Sequence, residues 1–155
     1  MDAVHALASA VWDNDLGGCR RLHAAHGYAR DDVRGFCNSL IFRWAATKGH
    51  LDVCRWLHAT YELTAEDARS NDNSALQMAA ERGHLATCRW LRSTYGLTAV
   101  DARADYNYAL QRAARKGHLI ICQWLHATFG LTASEWEPFL ATAKLPVAAW
   151  IATLS

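Results

Sequence analysis

The chain has 155 residues, a length that suits one domain, and it carries a net charge of +1 from 16 basic and 15 acidic residues. This balance argues against a dedicated polyanion binder and gives no reason to expect strong attraction to a membrane surface. No run of 18 apolar residues is present, which argues against a transmembrane helix, and the first residues lack the basic segment of a secretory signal.

Residues 1–35 are predicted to form a diverged N-terminal capping repeat. Cys19 lies 35 residues before Cys54, whereas later units repeat every 34, so the alignment requires one extra residue near Ser39. Asn14-Asp15 stands where later units have Gly-His. Gly27 is predicted to end the second helix of this unit in a left-handed conformation.

Three internal repeats are predicted at residues 36–69, 70–103 and 104–131. The segments 51–84 and 85–118 are identical at most positions, and Trp56, Trp90 and Trp124 follow the same 34-residue spacing. A fixed period of this length is typical of a repeat array.

Each internal unit is predicted to contain two helices and a short connector. In the second unit Asn73 is expected to cap a helix that extends through Arg82, and Gly83 to end it in a left-handed conformation. A second helix should begin near Leu85 and end at Gly96. When the units are aligned, Glu62 falls in the same column, or repeat position, as Gly96. The same left-handed conformation at Glu62 should therefore cost about 1 kcal/mol.

The connector sequence Leu-Thr-Ala-x-Asp-Ala-Arg predicts a capping box, with Thr98 and Asp101 as its two residues in the central copy. Short helical turns are therefore expected at residues 64–69, at 98–103 and from Thr132 onward. The array should then be almost entirely helical.

Residues 132–155 form a shortened last unit, which is expected to cap the array. Pro138 and Pro146 both suit the first turn of a helix, so helices are predicted near residues 137–143 and 146–153.

The run Asn-x-Ala-Leu-x-x-Ala-Ala-x-x-Gly-His-Leu-x-x-Cys-x-Trp-Leu resembles the ankyrin repeat, with the Ala-Ala-x-x-Gly-His-Leu core at residues 45–51, 79–85 and 113–119. The resemblance covers residues 4–130 as four units, and it implies an all-α, ankyrin-type solenoid of stacked helix–turn–helix repeats. The connector replaces the Gly-Ala-x-x-Asn segment of the family, so its hairpins should be largely replaced by short helical turns. A tetratricopeptide array shares the 34-residue period but requires a Trp-x-x-Leu-Gly-x-x-Tyr pattern that is missing.

The variant repeats are similar to those of ankyrin proteins from large DNA viruses of amoebae. This resemblance implies a viral protein that acts on host factors in the host cytoplasm. The cysteines also indicate a cytoplasmic location. Cys54, Cys88 and Cys122 share one repeat position on neighbouring helices, which hold them too far apart to form disulfides.

The recurring polar residues are interpreted as structural. His50, His84 and His118 should bond backbone groups at the turns, since each unit offers one His and one Cys where structural zinc needs four ligands. The Asp67-Ala-Arg69 and Asp101-Ala-Arg103 motifs suggest charge pairs between units. The tryptophans at 56, 90, 124 and 150 could stack bases, but their apolar neighbours favour core packing. No catalytic motif is present, so neither an enzyme nor a cofactor or metal site is expected.

Positions that differ between matching units are the candidate contact sites. Tyr and Arg, which are favoured as interface anchors, recur among them on the side that lines the concave groove of ankyrin arrays. The predicted protein-binding residues are Trp44, Thr47, Lys48, Met78, Glu81, Arg82, Tyr106, Tyr108, Arg112, Arg115 and Lys116.

Two alternatives to a monomeric, non-catalytic protein-binding module remain open. One is RNA or polyanion binding along a basic ridge of Arg43, Lys48, Arg82, Arg112, Arg115 and Lys116, against which the small net charge counts. The other is self-association through the apolar C-terminal helix with Trp150, Ile151 and Leu154.

Overall fold

A computed structural model describes residues 3–35 and 40–154, and all the regular structure in these ranges is helical. The all-α prediction is therefore confirmed, whereas the extra residue expected near Ser39 lies outside the described residues. The helices are α1 Ala3–Trp12, α2 Leu16–His26, α3 Arg30–Gly35, α4 Leu40–Lys48, α5 Leu51–Tyr61, α6 Ala65–Glu81, α7 Leu85–Tyr95, α8 Ala99–Ala102, α9 Ala104–Lys116, α10 Leu119–Phe129, α11 Ala133–Trp136 and α12 Leu145–Ala152, with a 3-10 helix at Glu137–Phe139.

The helices stack in two layers. The first helices of successive units, α1, α4, the second half of α6, and α9, pack side by side, and each also packs against the second helix that follows it. In the last unit the 3-10 helix packs on α9 and α12 packs on α10. The chain therefore forms a solenoid in which each unit contacts its neighbours.

Small side chains fill the layer of first helices, and larger ones fill the space between the layers. The alanine pairs at 45–46, 79–80 and 113–114 are fully buried, as are Leu57, Leu91 and Leu125 on the second helices. Small residues allow close helix approach, and each buried leucine contributes about 1.5–3 kcal/mol.

The Gly-His turns join neighbouring units as well as neighbouring helices. Gly83 has φ +88, and a Cβ atom there would lie 2.9 Å from the ring of His118 in the next unit. Nε2 of His118 lies 2.9 Å from the carbonyl oxygen of Glu81, and Nε2 of His50 lies 3.2 Å from that of Trp12. The predicted structural role of these histidines is confirmed.

The helix stops and the connectors also follow the predictions. Gly27, Gly96 and Gly130 end α2, α7 and α10 in the left-handed region, and Glu62 ends α5 there at φ +49. Capping boxes start the connector helices at Thr64, Thr98 and Thr132. Helical turns therefore begin all three connectors, as the capping-box sequences predict.

Charge pairs link successive connectors. Nε of Arg69 lies 2.7 Å from Oδ1 of Asp101, and Nε of Arg103 lies 2.5 Å from Oε1 of Glu135 in the last unit. The predicted pairs between units are confirmed in both places. Each acidic residue also accepts a hydrogen bond from the backbone of its capping threonine.

The role predicted for Asn73 as a helix cap is wrong. Asn71, Asp72 and Asn73 all adopt left-handed backbone angles and interrupt α6, and Asp105, Tyr106 and Asn107 do the same at the start of α9. A capping side chain acts from an extended residue, whereas Asn73 has φ +63 and its buried Oδ1 has no hydrogen-bond partner in the described part of the chain. A single left-handed turn therefore leads into each of these two helices.

The helix predicted near residues 137–143 is present only as the 3-10 helix Glu137–Phe139, which has Pro138 in its first turn as predicted. The capping box at Thr132 starts α11 earlier, and the 3-10 helix ends at Phe139, followed by turns to Ala143. This earlier start lets the fully buried Trp136 enter the core. The helix predicted at 146–153 is confirmed as α12, with Pro146 in its first turn.

Candidate functional site

All the predicted contact residues except Tyr106 lie on the layer of first helices. Their spacing of three and four residues puts them on one face of each helix, and the packing of α4, α6 and α9 joins the three sets. We call this surface, together with Trp12 of α1, the first-helix face. It consists of Trp12, Trp44, Thr47, Lys48, Met78, Glu81, Arg82, Tyr108, Arg112, Arg115 and Lys116.

An aromatic cluster occupies the α1–α4 end of the first-helix face. The rings of Trp12 and Trp44 meet edge to face with their centroids 5.5 Å apart, and Nζ of Lys48 lies 3.8 Å from the centroid of the Trp12 ring. An open pocket of about 360 Å³ lies beside them, lined by His5, Ala8, Ser9, Trp12 and Trp44. The hydroxyl of Thr47 donates to the carbonyl of Arg43 within α4 and is thereby engaged.

The sequence interpretation missed Trp12, His5 and Ser9. With the offset of 35 residues that aligns the first unit, Trp12 falls in the column of Thr47, and Ser9 falls in the column of Trp44. Comparing that diverged unit with the others, column by column, would have placed both of them among the candidates. Trp12 is also 45% exposed, which is unusual for a side chain of its size.

The α9 end of the first-helix face is aromatic and cationic. The guanidinium of Arg112 lies 4.8 Å from the centroid of the Tyr108 ring, within the range of a cation–π contact. Nε of Arg112 is buried and has no hydrogen-bond partner among the described residues. Arg115 and Lys116 are exposed at the end of the same helix.

Tyr106 lies in the left-handed turn before α9 and is 96% exposed. The left-handed positions of the two turns are otherwise occupied by Asn or Asp, which tolerate this conformation better than other residues with a side chain. A tyrosine at φ +54 is therefore not explained by the backbone or by burial. Tyr106 thus presents its ring to the surface at the cost of a strained backbone.

The first-helix face carries a surplus of positive charge, although the whole chain is nearly neutral. Five of its residues are cations and one, Glu81, is acidic; the cations are Lys48, Arg82, Arg112, Arg115 and Lys116. Many of the carboxylates lie instead in or beside the connectors, including Glu62, Glu66, Asp67, Asp101 and Glu135.

Arg43 does not join this cationic surface. It is half-buried, and its guanidinium contacts the side-chain amide of Asn71 in the next unit. The basic ridge predicted from the sequence therefore loses this member, because Arg43 contributes to packing between units.

The cysteine column is buried and chemically inert. Burial raises the pKa of the Cys54, Cys88 and Cys122 thiols to about 12, which disfavours the reactive thiolate. Burial also lowers the pKa of His84. Within residues 3–35 and 40–154, no three His, Cys, Asp or Glu side chains are grouped as they would be around a metal ion.

The tryptophan column packs against the core from its edge. Trp56, Trp90 and Trp124 are half-buried, and each meets an aromatic ring on its own helix, as Trp90 meets Tyr95 at a centroid distance of 5.6 Å. Their predicted role in packing agrees with these contacts.

The C-terminal apolar residues are used inside their own unit. The ring of Trp150 lies 5.2 Å from that of Trp136, and Ile151 is 4% exposed, with Leu154 half-buried against the core. These three residues do not form the exposed patch on which the self-association alternative depends. Leu140 and Leu145 are large apolar residues nearby that are exposed.

Comparison with known protein families supports the resemblance seen in the sequence. A family model described as ankyrin repeats (3 copies) matches residues 6–101 and 42–133. Together the two matches extend from the first unit to the start of the last unit. No curated protein matches the chain. In the described part of the chain, no helix is long and apolar enough to cross a membrane.

Proposed function

The chain belongs to the ankyrin repeat family, and we propose that it binds another protein through the first-helix face and Tyr106, without catalysing a reaction. Ankyrin repeats are generally protein–protein interaction modules and are typically non-catalytic. The observation that carries the proposal is the grouping of exposed and half-buried aromatic and cationic side chains at positions that differ between otherwise matching units.

The types of residue on this face support protein binding. Trp, Tyr and Arg supply most of the affinity in protein interfaces, because they combine a large contact area with directed polar groups. Trp12, Trp44, Tyr106, Tyr108 and Arg112 provide all three types. Arg82, Arg115 and Lys116 form no ion pair within the described residues and are free to meet carboxylates of a partner.

Affinity capture with matched variants tests the proposal. Wild type, Tyr108→Ala/Arg112→Ala and Arg55→Ala/Arg89→Ala are immobilised and exposed to the same lysate, and recovered proteins are quantified by mass spectrometry. Arg55 and Arg89 are exposed on the second helices, so they control for loss of charge. We expect specific proteins to be lost with the first variant and kept with the control. Equal recovery by all three would exclude the first-helix face as the binding surface.

Tyr106→Gly gives a second and independent test. Glycine adopts the left-handed conformation without a steric penalty, so the free energy of unfolding should rise by about 1 kcal/mol. Capture should fall at the same time if Tyr106 contacts the partner. A variant that is more stable and captures the partner as well as wild type would remove Tyr106 from the interface.

Polyanion binding is a second candidate. It is favoured by the first-helix face, which carries five cations and only one carboxylate. Phosphate or sulfate contacts release counterions, so such binding should survive on a heparin column to about 0.3 M salt. Elution well below that concentration, with no change in the Arg112→Gln/Arg115→Gln variant, would exclude it.

We also propose a reducing, cytosol-like compartment, the host cytoplasm if the protein is viral. The free and buried thiols of Cys19, Cys54, Cys88 and Cys122 support this location. The connector sequence is similar to that of amoebal virus ankyrin proteins, and this similarity supports a viral source.

A further inference from the structure

The two ends of the first-helix face differ in chemistry. The α1–α4 end has the pocket beside Trp12 and Trp44, which is lined mainly by apolar side chains. A large apolar group could fill it and replace the water in contact with both rings. Nζ of Lys48 lies above the Trp12 ring and places a cation next to the pocket.

The α9 end has the properties of a carboxylate site. Arg112 is held in place by its stacking on Tyr108, with the guanidinium carbon 4.8 Å from the ring centroid. A guanidinium fixed in this way loses little side-chain freedom when it binds a carboxylate through two parallel hydrogen bonds. Arg115 and Lys116 add two exposed cations beside it, so an acidic segment would neutralise this end.

The distance between the two ends defines the length of an occupant that spans them. The pocket lies between α1 and α4, and α9 lies about two and a half helix spacings further along. At roughly 8–10 Å per spacing this amounts to roughly 20–25 Å. An extended chain advances about 3.3 Å per residue, so the span corresponds to about six to eight residues.

We propose that the first-helix face binds an extended acidic peptide segment of a partner protein, with one large apolar side chain in the Trp12–Trp44 pocket and two or more carboxylates on Arg112, Arg115 and Lys116, about six to eight residues away. This inference rests on the proposed function and specifies the chemistry of the partner. It also explains why one end of the face is apolar and the other is cationic.

A random 16-residue peptide library displayed on phage tests the inference. The library is selected on wild-type protein and counter-selected on Ser9→Trp, which fills the pocket from an exposed position of α1. We expect enriched peptides to contain Trp, Phe, Leu or Met and at least two Asp or Glu residues at the stated separation. Peptides enriched without the apolar residue, or no enrichment over Ser9→Trp, would overturn it.

Fluorescence anisotropy of the enriched peptides then measures each part. Replacing the apolar residue by Ala, or binding to Ser9→Trp or Trp12→Ser, should weaken affinity at least tenfold. Arg112→Glu/Arg115→Glu should abolish binding of the acidic peptide and restore it for a peptide with Lys at those positions. Thermal unfolding of each variant shows that it is folded. Peptides shortened by three residues between the two ends should bind at least tenfold more weakly, and equal binding would overturn the proposed span.

A single-stranded poly(U) oligonucleotide serves as the competing probe. If it binds more tightly than the peptides and is indifferent to Ser9→Trp, the face is a polyanion site and the peptide inference is wrong. The capture experiment, with Ser9→Trp added as a fourth bait, separates the two proposals. Capture that depends on Tyr108 and Arg112 but not on Ser9→Trp keeps the proposed function and rejects the peptide model. Capture that depends on none of them rejects both.

Discussion

Glu62 is the residue at which one unit has a side chain where the others have a left-handed glycine. It ends α5 at φ +49, where Gly27, Gly96 and Gly130 stand in the other units. Its carboxylate lies 3.6 Å from a guanidinium nitrogen of Arg30, but Glu62 is 82% exposed. Because an exposed ion pair contributes at most about 1 kcal/mol, Glu62 gains little there to offset its strained backbone.

Glu62→Gly should therefore stabilise the protein. We expect the free energy of unfolding in urea to rise by about 0.5–1 kcal/mol, with a melting temperature about 1–4 °C higher. Arg30→Ala is the control for loss of the ion pair. Gly96→Ala should have the opposite effect, because a Cβ atom there meets no steric obstacle and only the backbone is strained. A destabilised Glu62→Gly variant would contradict this interpretation.

Two repeat positions on the second helices change residue type together from one unit to the next. Nδ1 of His23 lies 3.0 Å from the hydroxyl of Tyr61, and Nδ1 of His58 lies 3.2 Å from that of Tyr95. At the next interface Arg92 replaces the histidine and Phe129 replaces the tyrosine, and the guanidinium lies 6.0 Å from the ring centroid. A hydrogen-bonded pair is thus replaced by a cation–π pair, and both members differ at once.

A double-mutant cycle at this interface should reveal the coupling. Arg92→His and Phe129→Tyr, made singly, each leave a polar group without its partner, whereas the double variant recreates the His–Tyr pair. We expect the double variant to be more stable than the sum of the single changes by about 0.5–1.5 kcal/mol. Urea unfolding of the four proteins measures this energy. Additive effects would show that the two columns are independent.

Among the elements, the connectors combine helix capping with contacts between units. Glu135 closes the capping box of α11 and binds Arg103 of the preceding connector. The hydrogen bond from Arg103 is the main reason why the pKa of Glu135 is lowered to about 2. Although burial disfavours its charged form, Asp101 also has a lowered pKa because Arg69 and the Thr98 backbone bond to its carboxylate.

This lowered pKa predicts an acid-dependent contribution to stability. Above the unfolded-state pKa of about 4.5 the carboxylate is charged in both states, and the native contacts contribute fully. As the pH falls from about 4.5 toward 2, the unfolded chain binds the proton first, and the contribution is lost. The stability difference between wild type and Glu135→Gln should therefore be constant near neutral pH and shrink across this window.

Glu135→Gln is suited to this test because glutamine can still complete a capping box. Chemical unfolding between pH 2 and 7 gives the difference at each pH, with Glu137→Gln as the control for a neighbouring carboxylate. In 1 M salt the neutral-pH difference should decrease, since the pair is partly exposed. A difference that does not change with pH would show that Glu135 acts through its shape alone.

Local rules in the sequence predicted most of these elements, and the misses have identifiable causes. The Thr–Asp boxes and the left-handed glycines depend on neighbouring residues, so each copy could be recognised by itself. Asn73 was misassigned because asparagine is favoured both as an extended helix cap and in the left-handed region. Trp12 was missed because the first unit has diverged and is offset by one residue.

The cationic character of the candidate site could not be read from bulk composition. A net charge of +1 averages the cations of the first and second helices with the carboxylates of the connectors. The charges separate only when the first helices stack, which brings Lys48, Arg82, Arg112 and Lys116 onto one face. Column comparison anticipated most of this face, whereas the pocket depends on the distance between α1 and α4.

At the scale of the whole molecule, stability should vary along the stack. Each unit contacts only its neighbours, so an outer unit opens by breaking one interface, whereas an inner unit breaks two. Cys19 lies in the first unit, and Cys54 and Cys88 lie in the interior, with all three side chains fully buried. Burial raises their pKa to about 11 for Cys19 and about 12 for the other two, so each thiol reacts only after its unit opens.

Thiol labelling therefore reports the opening of individual units. With a maleimide at pH 8 and native conditions, we expect Cys19 to be modified at least tenfold faster than Cys54 and Cys88, as followed by mass spectrometry of tryptic peptides. In concentrated urea the three rates should converge, because the unfolded thiols differ little. Glu62→Gly should slow labelling of Cys54 under native conditions, since it stabilises the unit that contains it. Equal native rates at Cys19 and Cys88 would instead mean that the stack opens as one cooperative unit, in which case the first-helix face is gained and lost as a whole.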